Sequence, residues 1–237
     1  MPETMRDTRV VQTFAKLADT LVVGYDVVDL LQVLVDSCRD LLDTDAAGIL
    51  LADATGELEL VASTSEATRI VEMMQLGAEA GPCIECYRSG RAVTMPDISA
   101  SPAGWARFRD AALEQGFASM TAIPLRLRET TIGTLNLLRA GLGELGPDDH
   151  ATAQAFADVA TIGIVHERAL RESLVVQEQL QGALNSRIVI EQAKGVVSYT
   201  NQVDMDEAFR MIRHRSKASQ TPITEIARQI VELRLQL

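Results

Sequence analysis

Cysteine is scarce in this chain. The three that occur, Cys38, Cys83 and Cys86, are too few and too unevenly placed for a disulfide framework. Long apolar runs are missing too: none approaches the ~20 residues of a membrane span. The start, Met1-Pro2-Glu3-Thr4-Met5-Arg6-Asp7, has no apolar signal core behind a basic cluster, so nothing suggests export. The expectation is a cytoplasmic chain with no membrane partner. Catalytic signatures are equally absent. The three histidines are dispersed, and no Gly-rich phosphate loop, Ser/His/Asp set or pair of catalytic carboxylates stands out. The chain does not read as an enzyme.

Two weak signals fall to the same test. Cys83-Ile84-Glu85-Cys86 has the spacing of half a zinc site or of a redox pair. It lacks a second pair or a histidine cluster, so a core position for Cys86 is expected and no metal. Cys38 is read as core. Asp43 and Asp45 would suit a phosphoacceptor, but the parallel βα repeats of a receiver domain are missing.

What remains is the composition of a globular protein, 47% hydrophobic and 23% charged in 237 residues, with room for a sizeable core. The net charge of -11 is unevenly divided. Residues 1–179 carry 14 Lys/Arg against 27 Asp/Glu, net -13, whereas residues 180–237 carry 8 against 6, net +2. A nucleic-acid partner would be repelled by the long acidic part and tolerated only by the tail.

Periodicity predicts a helix from Val10 to Val22 and a second, capped by Asp26, with Val27, Leu30, Leu31, Leu34, Cys38 and Leu41 inward. Ala46 to Ala52 and Glu57 to Ser63 read as strands joined by Asp53-Ala54-Thr55-Gly56, a hairpin signal. Thr68 to Leu76 is helical, Gly81-Pro82 opens a short helix ending at Gly90, and Ala92 to Met95 is a short strand. Trp105, Phe108 and Ala112 share a helical face. Ala118 to Leu127 and Thr131 to Arg139 form a second hairpin. From Asp148 a helix is predicted to about Ser198. The first part is therefore α+β, an antiparallel sheet with helices on its faces.

Within that last helix, Leu170, Leu174, Leu184 and Ile188 make a heptad seam with Gln177 and Gln181 as a polar layer, which predicts a coiled coil and a homodimer. Farther on, Ile190, Ala193, Val196 and Val197 are spaced as a helical face. Asp204 with Glu207 has the pattern of a capping residue, with Val203 and Ala208 at the positions of a hydrophobic staple. Met205, Ala208, Phe209 and Ile212 follow as an expected buried stripe, and Arg210, Arg213, His214 and Lys217 run beside it. Thr221-Pro222 restarts a helix with Ile223, Ile226, Ala227 and Ile230 inward. These three helices make a small bundle with a positive face.

Two stretches carry a family resemblance. Gly81-Pro82-Cys83-x-x-Cys86-x-x-Ser89-Gly90-x-x-Val93-x-x-Pro96-Asp97, then Ile123-Pro124-Leu125 and Ile132-Gly133-Thr134-Leu135-Asn136-Leu137, resembles the GAF sensor domains. That resemblance implies a six-stranded antiparallel sheet and a small ligand held between sheet and helices. The Asn-Lys-x-Phe-Asp-Glu signature of cyclic-nucleotide binders is absent. Arg187-x-x-Ile190-Glu191-x-Ala193-Lys194-Gly195, Asp206-Glu207-Ala208-Phe209-x-x-Ile212-Arg213 and Ile223-Thr224-Glu225-Ile226-Ala227 resemble an ANTAR domain, an RNA-binding module of antitermination regulators. The sequence departs from that pattern at Gln220, where Asn is frequent, and at Arg215-Ser216, where one Ala is usual.

The resulting expectation is an N-terminal helix (1–25), a GAF-like sensor (26–167), a helical connector (168–180) and an ANTAR-like three-helix bundle (181–237). Arg187, Lys194, Arg210, Arg213 and Lys217 are expected on messenger-RNA hairpins. Ala193 and Gly195 are small enough for a base or phosphate to approach closely, or else serve helix packing. Met73, Trp105 and Phe108 are expected either to line a small-molecule pocket or to be core. No cofactor beyond such a ligand is indicated. A protein-interaction module and a DNA-binding regulator are the alternatives.

Overall fold

The turn Asp53-Ala54-Thr55-Gly56 closes the first hairpin by local chemistry. Asp53 Oδ1 accepts from the amides of Thr55 at 2.8 Å and Glu57 at 3.0 Å, and Gly56 takes φ +87°, a conformation that suits glycine. It joins β1 (Ala46–Ala52) to β2 (Leu58–Ser63). The short β3 (Val93–Met95) and the second hairpin, β4 (Ser119–Leu127) with β5 (Thr130–Arg139), complete a five-stranded sheet in the order β2-β1-β5-β4-β3. Every pairing is antiparallel. Five strands, not six, are present among the described residues. The computed structural model describes residues 3–19, 27–232 and 235. The expected end of the first helix at Val22 and the Asp26 cap lie outside them.

The chain divides into two units, 1–168 and 169–237. In the first, helices cover both faces of the sheet. On one side lie α1 (Glu3–Asp19), α2 (Val27–Leu41) and the first turns of α6 (Pro147–Asn201). There Leu30, Leu34 and Cys38 of α2 and Phe156, Ala157 and Ala160 of α6 pack on Ile49, Leu51, Ile123, Leu125 and Leu135. The Phe14 ring of α1 lies 4.8 Å from that of Phe156. On the other side lie α3 (Glu66–Ala78), α4 (Pro82–Ser89) and α5 (Ala106–Glu114). Val71, Cys86, Phe108 and Ala112 close over Ala46, Met120, Ala122 and Leu138. Burial on both faces explains why Ala46–Ala52 is apolar at every position rather than at alternate ones. Glycine is required at 133, because a Cβ there would overlap the carbonyl oxygen of Leu50 on the neighbouring strand.

Several helix boundaries differ from expectation: α1 begins at Glu3 rather than at Val10, and α3 ends at Ala78 rather than at Leu76. α3 begins two residues before Thr68, because the Ser65 hydroxyl accepts from the Thr68 amide at 3.2 Å and caps the first turn. α6 continues to Asn201.

In the second unit the end of α6 packs with α7 (Met205–Ser219) and α8 (Ile223–Val231) around Ala193, Val197, Ala208, Ile212, Ile226, Ala227 and Ile230. Asp204 caps α7, its Oδ1 accepting from the Glu207 amide at 2.7 Å. Gln220 ends α7 in the left-handed region at φ +53°. Asn tolerates that region better than Gln, which gives a physical reason for the usual residue there. Ser216, the other departure, donates its hydroxyl to the Thr221 carbonyl at 2.7 Å and so ties α7 to the start of α8.

Candidate nucleic-acid interface

The surface of the three-helix unit is built by α6 and α7. Lys194 follows Ala193, which the core takes up completely, so the lysine emerges beside the packed seam. Its ammonium donates to both Glu191 carboxylate oxygens at 3.0 Å and lies 5.8 Å from the centre of the Phe209 ring on α7. Only 16% of the Lys194 side chain is exposed. The structure thus brings together Lys194, Glu191 and Phe209.

The other predicted residues divide into three groups. Arg187, Arg213 and Lys217 are exposed and carry no ion pair among the described residues. Arg210 is paired with Glu207 one turn earlier, and it lines a shallow groove with Met211, His214 and Arg215. Ala193 offers no surface to a ligand, so its smallness serves helix packing. Gly195 is the opposite case: a Cβ there would meet nothing within 4 Å. The fold of this unit does not require glycine at 195, although glycine inside a helix costs about 1 kcal/mol relative to alanine.

The expected buried stripe on α7 is corrected in part. Ala208 and Ile212 are buried, but Met205 and Phe209 are exposed, Phe209 by 37%. The outer residues of an i, i+3, i+4, i+7 pattern sit at the edges of the stripe, and a helix packed by only two neighbours leaves an edge open. Tyr199, which sequence reasoning passed over, is 89% exposed. It stands four residues after Gly195 and so shares the open face of α6.

In the first unit the three expected pocket residues do not converge. Phe108 is fully buried with Trp105 packed beside its cluster, whereas Met73 is half exposed. The unexpected feature is on α3, which is turned polar side inward: Thr68, Glu72 and Gln75 are fully buried while Ile70, Met73 and Met74 face out. Gln75 Nε2 donates to Glu72 Oε2 at 3.3 Å, and Gln75 Oε1 accepts from the Cys83 amide at 3.1 Å. The Cys83 thiol donates to Glu72 Oε2 at 3.5 Å. Glu72 Oε1, the Thr134 hydroxyl and the Asn136 amide are buried without a hydrogen-bond partner among the described residues. Burial raises the Glu72 carboxyl to about 7, with Asn136 and Cys83 opposing the rise. Polar residues at 68, 72 and 75, one helical face, were the signal available in the sequence.

All three cysteines are free and buried. Burial raises the Cys38 thiol, burial and the Glu72 carboxylate raise Cys83, and burial pushes Cys86 up to about 12. Thiols held protonated in this way are poor nucleophiles and poor metal ligands. Among the described residues no three His, Cys, Asp or Glu side chains gather as a metal site, and no helix is long and apolar enough to cross a membrane.

Two family models match in succession, the GAF domain over residues 25–165 and the ANTAR domain over residues 178–231. The chain belongs to the GAF family and carries an ANTAR domain behind it. Solved structures bear out the GAF fold. A GAF domain of a phosphoenolpyruvate-protein phosphotransferase from Coxiella burnetii matches at TM-score 0.56 and 17% identity, over 72% of this chain and 99% of that one. A fragment of a methyl-accepting chemotaxis protein matches at 0.52 and 22%, over 67% and 98%. Free methionine-R-sulfoxide reductase from Neisseria meningitidis, solved with its substrate, matches at 0.53 and 17%, over 68% and 89%. At these identities the likeness concerns the fold alone. No curated protein matches the chain at a significant level.

Proposed function

We propose that this GAF–ANTAR chain is a signal-responsive regulator of transcription antitermination, not an enzyme, and that its ANTAR domain binds hairpin loops of nascent messenger RNA. The observation that carries the reading is the order of the two matched domains, 25–165 and then 178–231. The surface of α6 and α7 supports it. Arg187, Arg213 and Lys217 have no acidic partner among the described residues and are free to meet phosphates, which supply affinity, while loop bases supply choice of sequence. Gly195, whose cost no neighbouring side chain explains, leaves room for RNA backbone to approach α6. On the sensor side the buried polar face of α3 favours a small polar signal over the apolar one that Met73, Trp105 and Phe108 would suit.

The connector supports a homodimer, and the ANTAR match fits a cytoplasmic chain. Leu170, Leu174, Leu184 and Ile188 lie exposed on α6 at heptad spacing, and a second copy of the same seam would cover them. Titration of the whole chain with hairpin RNA and with duplex DNA at several salt concentrations tests the reading. Binding to the hairpin with a steep salt dependence, and weak binding to the duplex, is expected. Preference for duplex DNA would favour the DNA-binding alternative, and binding to neither would favour a protein-interaction module.

A further inference from the structure

We propose that Phe209, held under the Lys194 ammonium, is the platform on which one unpaired base of the RNA loop stacks. The inference rests on the RNA-binding reading and deepens it: phosphate contacts alone would not need an aromatic residue. The geometry carries it. Phe209 is a large apolar ring left 37% open on a helix whose inner face is already filled by Ala208 and Ile212. Lys194 lies 5.8 Å from the ring centre, within the ~6 Å over which a cation is drawn to an aromatic face. Glu191 holds that ammonium by two 3.0 Å hydrogen bonds. The ring is therefore fixed before any ligand arrives, and little freedom is lost when a base settles on it. Arg213, one helical turn after Phe209, is exposed and has no ion pair among the described residues. A base on the ring would bring its own phosphate toward that guanidinium.

This arrangement reassigns Lys194. Its ammonium is already committed to Glu191 and to the ring, so it acts as a positioning residue for Phe209 before it acts as a phosphate contact. An unpaired base is the ligand chemistry that fits, since every base offers a π-face whereas duplex bases are stacked on each other.

The test uses the full chain and a hairpin RNA pool with a fixed stem and a randomised loop, beside the same stem closed by a non-nucleotide linker. The parent should bind the pool and bind the linker-closed stem weakly. Phe209→Leu should bind the pool roughly tenfold more weakly with an unchanged salt slope, and Phe209→Trp should bind as the parent does. Ultraviolet crosslinking of the parent to the pool should mark Phe209 itself, which decides the matter even where the leucine variant folds poorly. A folded Phe209→Leu variant that binds as the parent, or crosslinks that avoid Phe209, overturns the stacking platform and leaves the RNA-binding reading standing. A parent that binds no hairpin overturns both.

Discussion

Glu72 is a carboxyl where a hydrocarbon would be expected, fully buried beside Gln75, Cys83 and the strand residue Asn136. Two donors already address Oε2, which leaves Oε1 to carry a proton. The folded carboxyl takes up that proton at about 7, an unfolded one at about 4.3. Between those values the folded chain binds more protons, so stability is fully present below the lower value and falls as pH rises through the window. Above the upper value about 4 kcal/mol is lost. Glu72→Gln cannot ionise. Its melting temperature should exceed the parent's at about pH 8 and converge with it near pH 4. Melting curves of both across that range check this, and parallel curves would show that Glu72 does not titrate there.

A second pair of residues separates charge that is free from charge that is spent. Arg213 has no ion pair among the described residues, whereas Lys194 has Glu191. If both face RNA, Arg213→Ala should weaken hairpin binding about tenfold and flatten the salt slope by about 0.7–0.9. Lys194→Ala should lower affinity with a smaller change in slope, because removing the lysine also frees a carboxylate. Titrations at several salt concentrations resolve the two; equal slope changes would mean that Lys194 leaves Glu191 for a phosphate.

Among the elements, α6 is the least self-sufficient. Its 55 residues include a stretch in which Leu174 and Leu184 are each more than half exposed, too much apolar surface on one face for a lone helix. Leu174→Glu with Leu184→Glu should weaken the expected dimer by placing charge in the seam. Light scattering on parent and variant checks it, and a monomeric parent would sink the idea. Elements differ in how far their sequence revealed them. Both hairpins and α7 were legible because short-range chemistry sets them: Asp53 with Gly56 in one turn, Asp204 as a cap. α3 was legible as a helix but not in its orientation. Its apolar residues Ile70, Met73 and Met74 suggest an inward face, yet Glu72 and Gln75 occupy it, and only Cys83 on α4, bonded to both, and the polar side chain of Asn136 on β5, far along the chain, explain why. Phe209 failed for a related reason, since periodicity finds a stripe without telling its centre from its rim.

For the molecule as a whole, the domain order was legible from separated motifs, and the acidic first part with its basic tail agrees with an RNA-binding end. The interior of the sensor was not, because burial on both sides of a sheet erases the alternation that marks a face. One feature of that interior gives the chain a built-in clock. Cys38 lies under one face of the sheet, Cys83 and Cys86 under the other, and all three thiols are shielded and held protonated. An alkylating reagent can reach them only while the covering helices open. The rate at Cys38 therefore times the opening of α1, α2 and α6, and the rates at Cys83 and Cys86 time that of α3, α4 and α5. A compound that settles on the buried polar face of α3 should slow the second pair and spare Cys38. Peptide mass mapping would register that difference for any compound in a mixture, so the signal can be found before its chemistry is known. Equal slowing at all three sites would mean instead that the sensor opens as one body.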